Sequence, residues 1–122
     1  MKIRIPDSVN IIEVYAFNTC LSLTSIIIPN SVSRIGDHAF FACSSLESVI
    51  IGDNVSHIGQ NAFRACTKLE SISIGNGLTS IGPGAFAYCE SLNSIVVPSS
   101  VTNIGNSAFA YCVSFSDVYG LT

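Results

Sequence analysis

Cysteine occurs at positions 20, 43, 66, 89 and 112, a constant step of 23 residues. Phenylalanine keeps the same step at 17, 40, 63, 86 and 109, each time preceded by alanine. The phrase IGDHAFFAC at Ile35–Cys43 returns as IGQNAFRAC at Ile58–Cys66, IGPGAFAYC at Ile81–Cys89 and IGNSAFAYC at Ile104–Cys112. Further apolar columns run in phase: Leu23, Leu46, Leu69, Leu92 and Phe115; Ile26, Val49, Ile72, Ile95 and Val118; Ile28, Ile51, Ile74 and Val97; Val32, Val55, Leu78 and Val101. The first unit joins the register from Ile3 onward, with Ile5, Pro6, Val9, Ile12, Ala16 and Phe17 in place. Its Glu13 stands where the others carry Gly36, Gly59, Gly82 and Gly105. A short unit repeated with apolar residues at fixed places marks a stacked solenoid.

Energetics point the same way. One unit offers about six large apolar side chains, each contributing roughly 2 kcal/mol when buried. Ordering its backbone costs about 1–2 kcal/mol per residue. A lone unit therefore cannot fold, and neighbours must cover its open sides. Within a unit, Leu46-Glu47-Ser48-Val49-Ile50-Ile51 is short, rich in β-branched residues and stopped by Gly52-Asp53, so it reads as a strand. Its counterparts stop at Pro29, Gly75 and Pro98. The stretch from Gln60 to Cys66 predicts one or two turns of α or 3₁₀ helix, since Ala62 and Cys66 share a face at i, i+4 spacing. The expectation is an α/β repeat solenoid: a right-handed coil with a parallel β-sheet on one face and short α/3₁₀ turns on the other. Residues 1–122 form a single domain of about five 23-residue repeats.

Only 11% of the residues are charged and the net charge is −3, which excludes the basic footprint of a nucleic-acid binder. The high apolar content excludes disorder. No apolar run approaches the roughly 18 residues of a membrane-spanning helix; Ile26-Ile27-Ile28 halts at Pro29. The opening Met1-Lys2-Ile3-Arg4-Ile5-Pro6 lacks the continuous apolar segment of a signal peptide, leaving an intracellular protein or a mature fragment.

The five cysteines invite three readings. Disulfides suit neither the odd number nor the even spacing, because stacked equivalents hold their sulfurs near 5 Å and not near the ~2 Å of a bond. Zinc wants four convergent ligands, and an evenly spaced row does not converge. A buried thiol ladder, with cysteine acting as a small hydrophobe, fits best. No cofactor or metal is expected. Asp37-His38 beside abundant serine resembles part of a hydrolytic triad, but the His38 column continues as Asn61, Gly84 and Ser107, a variable outward place. His57 likewise shares a column with Arg34, Ser80 and Asn103. No catalytic residue is assigned. Asn54-Val55-Ser56 matches a glycosylation pattern that arises often by accident, and Asn76-Gly77 reads as turn chemistry. The glycines of Ile81-Gly82-Pro83-Gly84 lack the Lys-Ser or Lys-Thr of a phosphate loop.

Outward strand positions carry more information. One column is Ser25, Ser48, Ser71 and Ser94, then Asp117; the next is Ile27, Ile50, Ser73 and Val96, then Tyr119. A solvated sheet face is normally polar, and apolar patches often mark contact surfaces. The alternative is that β-branched residues simply favour strands. Ser25, Ile27, Ser48, Ile50, Ser71, Ser73, Ser94, Val96 and Tyr119 are therefore the candidate protein-binding residues. Phe41, Tyr88 and Tyr111 are expected to point outward on the turn side, as contacts or as covers of the neighbouring coil. The chain begins inside a strand and runs out after another, with Gly120 where Ile or Val recurs. Open ends of this kind suggest a homo-oligomer or a head-to-tail filament.

Leu23-x-x-Ile26-x-Ile28-Pro29-x-x-Val32-x-x-Ile35-Gly36-x-x-Ala39-Phe40-x-x-Cys43 resembles the BspA-like, or Treponema pallidum type, leucine-rich repeat, and the match covers essentially the whole chain. The resemblance implies a leucine-rich-repeat coil, a cell-surface or extracellular protein, and adhesin-like, non-enzymatic binding of a protein ligand. It brings no catalytic residues. The alternative from a different class is a structural element that stacks on itself.

Overall fold

The computed structural model describes residues 1–115 and 117–119, the last three by backbone alone. The chain winds as a β-solenoid. Each coil contributes a longer strand at its run of β-branched residues: β1 (Lys2–Arg4), β3 (Ser25–Ile28), β5 (Ser48–Ile51), β7 (Ser71–Ile74), β9 (Ser94–Val96) and β11 (Asp117–Tyr119). Between them lie two-residue strands β2 (Ile11–Ile12), β4 (Arg34–Ile35), β6 (His57–Ile58), β8 (Ser80–Ile81) and β10 (Asn103–Ile104). The short strands form one parallel sheet across five coils, ordered β10-β8-β6-β4-β2. The longer ones form the parallel sheet β1-β3-β5-β7 and a separate pair, β11-β9. Register advances by one repeat at each rung, so Ile26 faces Val49 and Val49 faces Ile72.

The five-stranded sheet of two-residue strands was not expected, and the long-strand sheet is not continuous. No ladder joins β7 to β9 among the described residues. At the end of that rung Gly52 and Gly75 donate to Ile28 O and Ile51 O at 2.9 and 3.0 Å. Pro98, next in the column, has no N–H to give Ile74 O. Pro29 has the same deficit where β1 and β3 still pair, so proline accounts for one missing bond and not for the whole break.

The expected α/3₁₀ turns are absent: the described residues contain no helix, and the segment after each glycine is a run of turns. The backbone donors show why. Ala39, Phe41 and Cys43 N–H fold back three residues to Gly36, His38 and Phe40 O, at 3.2, 3.2 and 3.3 Å. The residues between them donate forward to the next coil, His38 to Gln60 O, Phe40 to Ala62 O and Ala42 to Arg64 O, at 2.9, 2.7 and 2.8 Å. A helix needs its N–H groups in one axial series; here alternate donors leave the segment. The alternation places His38 and Ala42 in the left-handed region at φ 57°. The equivalent Asn61, Ala65, Tyr88, Ser107 and Tyr111 follow, as does Gly84 at φ 65°. Each such non-glycine residue costs roughly 1–2 kcal/mol; at His38, Ala42, Asn61, Ala65 and Tyr88 a main-chain bond to the next coil offsets it.

The core lies between the sheets and the turns. Leu23, Val32, Ile35, Ala39, Phe40 and Cys43 are fully buried, and their counterparts in the two following coils repeat the pattern. The phenyl rings stack along the axis: Phe17–Phe40, Phe40–Phe63, Phe63–Phe86 and Phe86–Phe109 have centroids 5.1, 5.0, 5.4 and 5.5 Å apart and planes within 7°. The glycine column is a contact between main chains. A Cβ on Gly36 would stand 2.6 Å from Val14 N and 2.8 Å from Glu13 C in the coil before.

The cysteines form the thiol ladder. No disulfide joins them; Cys43, Cys66, Cys89 and Cys112 are buried and Cys20 is partly so. Each buried thiol donates to the carbonyl of the phenylalanine one coil back: Cys43 to Phe17 O, Cys66 to Phe40 O, Cys89 to Phe63 O and Cys112 to Phe86 O, at 3.1, 3.2, 3.2 and 3.1 Å. Burial pushes the Cys43 thiol up to about 11 and raises Cys66, Cys89 and Cys112 as well. Neighbouring sulfurs add to the rise at Cys43, Cys66 and Cys89. Such thiols are neutral, poor nucleophiles.

Three measurable consequences follow from this packing. Phe63→Ala should destabilise by about 3–5 kcal/mol in urea unfolding, whereas Phe17→Ala, at a half-buried end of the stack, should cost clearly less. A thiol reagent should modify Cys20 alone in the native protein and all five cysteines after denaturation; rapid native modification of Cys66 would contradict the ladder. Below about pH 9 the thiols are neutral whether folded or not. Above it the unfolded chain ionises first, because folding raises these thiols. Stability should therefore fall as pH rises from about 9 to 11, by at most about 1.4 kcal/mol per pH unit for each thiol. Cys66→Ala should flatten that slope.

Candidate functional site

The candidate residues lie on the outward face of the long-strand sheet. Alternation puts Ile26, Ile28, Val49 and Ile51 inside and their neighbours outside. Parallel register then lines equivalents up at about 4.8 Å. Lys2, Ser25, Ser48 and Ser71 form one stripe; Arg4, Ile27, Ile50 and Ser73 form the next. Ser94 and Val96 occupy the same columns on β9, paired with Asp117 and Tyr119 of β11. The side chain of Tyr119, like Gly120, lies outside the described residues.

Ile27 is 62% exposed, Ile50 49% and Val96 63%. Ser71, Ser73 and Ser94 are exposed, whereas Ser25 and Ser48 are half-buried. Ile27 and Ile50 are adjacent in register and make one apolar patch. Val96 stands apart, because Ser73 interrupts the stripe and the ladder breaks beyond β7. At the other end the patch meets Lys2 and Arg4, which line a depression of about 460 Å³ with Ser25 and Ile27. The assembled surface is thus a two-residue apolar patch with a basic margin and a serine flank.

The turn-side aromatics are only partly outward. Phe41 and Tyr88 are half-buried, and Tyr111 is exposed. Tyr88 stacks on Tyr111 at 4.7 Å, and the Arg64 guanidinium lies 4.9 Å from the Tyr88 centroid. Tyr15 stacks on His38 at 4.9 Å. These side chains lap over neighbouring coils.

Asp37 and His38 do not assemble a triad. Asp37 Oδ1 accepts the Gln60 N–H at 2.9 Å, and His38 Nε2 lies 3.3 Å from Asn61 Nδ2. Both serve the stack. Asn54 Nδ2 donates to Asn30 O at 2.7 Å, so the amide of the glycosylation pattern is also engaged between coils. Among the described residues, no three His, Cys, Asp or Glu side chains group as a metal site, and no helix is long and apolar enough to cross a membrane. On the short-strand sheet, Arg34, His57 and Ser80 stand in register. Their shared column was legible in the sequence, but their adjacency on a second sheet was not.

A family model of the BspA type leucine rich repeat region matches residues 1–116 in six copies. A leucine-rich repeat protein of T. pallidum superposes with a TM-score of 0.94 at 33% identity, over 96% of this chain and 57% of that one. A leucine-rich repeat protein from Bacteroides ovatus gives 0.92 at 38% identity, over 98% of this chain and 33% of that one. A leucine rich cell surface protein from Faecalibacterium prausnitzii gives 0.57 at 29% identity, over 96% and 46%. The search of curated proteins gave no match. The chain thus spans about half of the T. pallidum protein and a third of the Bacteroides one. With its repeat and its coil in agreement, the chain belongs to the BspA type leucine-rich repeat family.

Proposed function

We propose that this chain is a non-enzymatic, adhesin-like module that binds a protein ligand through the outward face of its long-strand sheet, at a cell surface or outside the cell. Repeat solenoids generally use extended surfaces for protein contact. The single observation that carries the reading is the exposure of adjacent Ile27 and Ile50, flanked in the next column by Ser25 and Ser48. Lone exposed apolar residues are ordinary, whereas register-aligned ones form a patch. The cell-surface description of the Faecalibacterium relative favours the location. Lys2 and Arg4 at the patch margin suit a ligand with acidic groups beside an apolar centre.

A second reading, head-to-tail association of copies, draws on a different observation. The first coil leaves an apolar recess of about 250 Å³ bordered by Ile3, Ile5, Val9, Ile12 and Phe17, the surface on which another coil would sit.

Solid-phase binding to a panel of surface and extracellular-matrix proteins separates the two. Ile27→Asp with Ile50→Asp should lower capture about tenfold or more, equal to about 1.4 kcal/mol, with the oligomeric state unchanged by light scattering. Capture equal to the parent, or no capture of any panel protein by the parent, would overturn the adhesin reading. A concentration-independent monomer would remove the second reading.

A further inference from the structure

The short-strand sheet holds a set of polar groups that the coil stack does not consume. Arg34 pairs in register with His57, and His57 with Ser80, so the three stand on successive rungs about 4.8 Å apart. Arg34 and His57 are exposed and Ser80 is half-buried. Together they line a depression of about 290 Å³. Gly36 and Gly59 also border it, adding no side-chain bulk, and Asp37 is the one other charged residue there. One Asp37 oxygen already accepts the Gln60 N–H.

The imidazole is oriented by its neighbour. Ser56 Oγ lies 2.7 Å from His57 Nδ1 and 3.1 Å from Ser33 O. A hydroxyl has one proton to donate. The equivalent hydroxyls Ser33, Thr79 and Thr102 all donate to the carbonyl one coil back, at Asn10, Ser56 and Thr79. On the same pattern Ser56 gives its proton to Ser33 O, so its oxygen accepts from Nδ1–H. The ring nitrogen left for further protonation is then Nε2. A doubly protonated ring donates one N–H to Ser56 and has the other for a ligand.

We propose that Arg34, His57 and Ser80 form a binding site for a carboxylate. The guanidinium presents a planar fork that matches two carboxylate oxygens. The imidazolium adds a single charged donor, and the Ser80 hydroxyl a neutral one. A monoanion suits the site better than a dianionic phosphate, because the Asp37 carboxylate in the same depression repels the second charge. The site lies on the other sheet from Ile27 and Ile50 and stands or falls independently of the function proposed above.

Sodium acetate is the probe, titrated at constant ionic strength against chloride and followed by NMR at Arg34 Nε–H and at the His57 ring. Both signals should shift together and saturate as acetate is added. Arg34→Gln or His57→Gln should weaken binding about tenfold, with the remaining amide spectrum unchanged. Arg64, on the turn side, should not respond. Shifts that never saturate, that appear equally at Arg64, or that persist in both variants would overturn the site. Tighter binding of inorganic phosphate would overturn its assignment to carboxylates. A neutral His57 carrying its proton on Nε2 would overturn the ring orientation.

Discussion

Main-chain hydrogen bonding from each coil to the next is the interaction on which everything else here rests. It runs through both strand ladders and continues through the turns, where from Gly36 to Cys89 every second donor between a glycine and its cysteine crosses to the next coil. A coil has almost no backbone partners of its own beyond three-residue turns. It is stable because its neighbours complete it. That condition forces the repeat to keep one length, since a single inserted residue would shift every later donor off its acceptor. It also forces side chains of one column to stand over each other, so like packs on like: phenyl on phenyl, thiol beside thiol, hydroxyl over carbonyl.

The same constraint decides which polar groups are free for function. Much of the polar chemistry in this chain is spent between coils. Asn30 Oδ1 takes the Asp53 N–H and Asp53 Oδ1 takes the Asn76 N–H, at 3.0 and 3.1 Å. Ser33, Ser56, Thr79 and Thr102 tie their hydroxyls to the coil before. The buried thiols do likewise. Residues that look reactive in a linear reading, such as Asp37, His38 and the cysteines, are fastenings of the solenoid. What remains outward is a small set of strand positions whose spacing is inherited from the coil and whose chemistry is set by substitution within a column.

Those columns explain why a surface of this kind evolves without disturbing the fold. Ile27, Ile50 and Ser73 share one column, as do Arg34, His57 and Ser80, yet none of these contributes to the fully buried core. Exchanging them alters the face and leaves the stack intact. The cost falls elsewhere, on positions such as Tyr88 and Tyr111, held at φ 61° and 59°, where stacked aromatic contact accompanies a left-handed backbone.

The amino-acid sequence by itself determined the solenoid, its repeat length, the buried columns and the inert thiols, because a 23-residue period of apolar side chains admits no other arrangement that hides them. It also marked the outward strand positions, since side-chain alternation in a strand is a local property. It misled at the turns: Gln60–Cys66 has helical spacing, but spacing does not reveal that alternate N–H groups find their acceptors one coil away. The second sheet stayed hidden for the same reason, being only two residues per coil and defined by bonds to neighbours. Which exposed residues meet was likewise decided by tertiary structure alone. Ile27 touches the Ile50 rung while Val96 is cut off, and Ser56 orients His57 beside Arg34, because inter-coil register and the break after β7 are properties of the assembled stack and not of any one repeat.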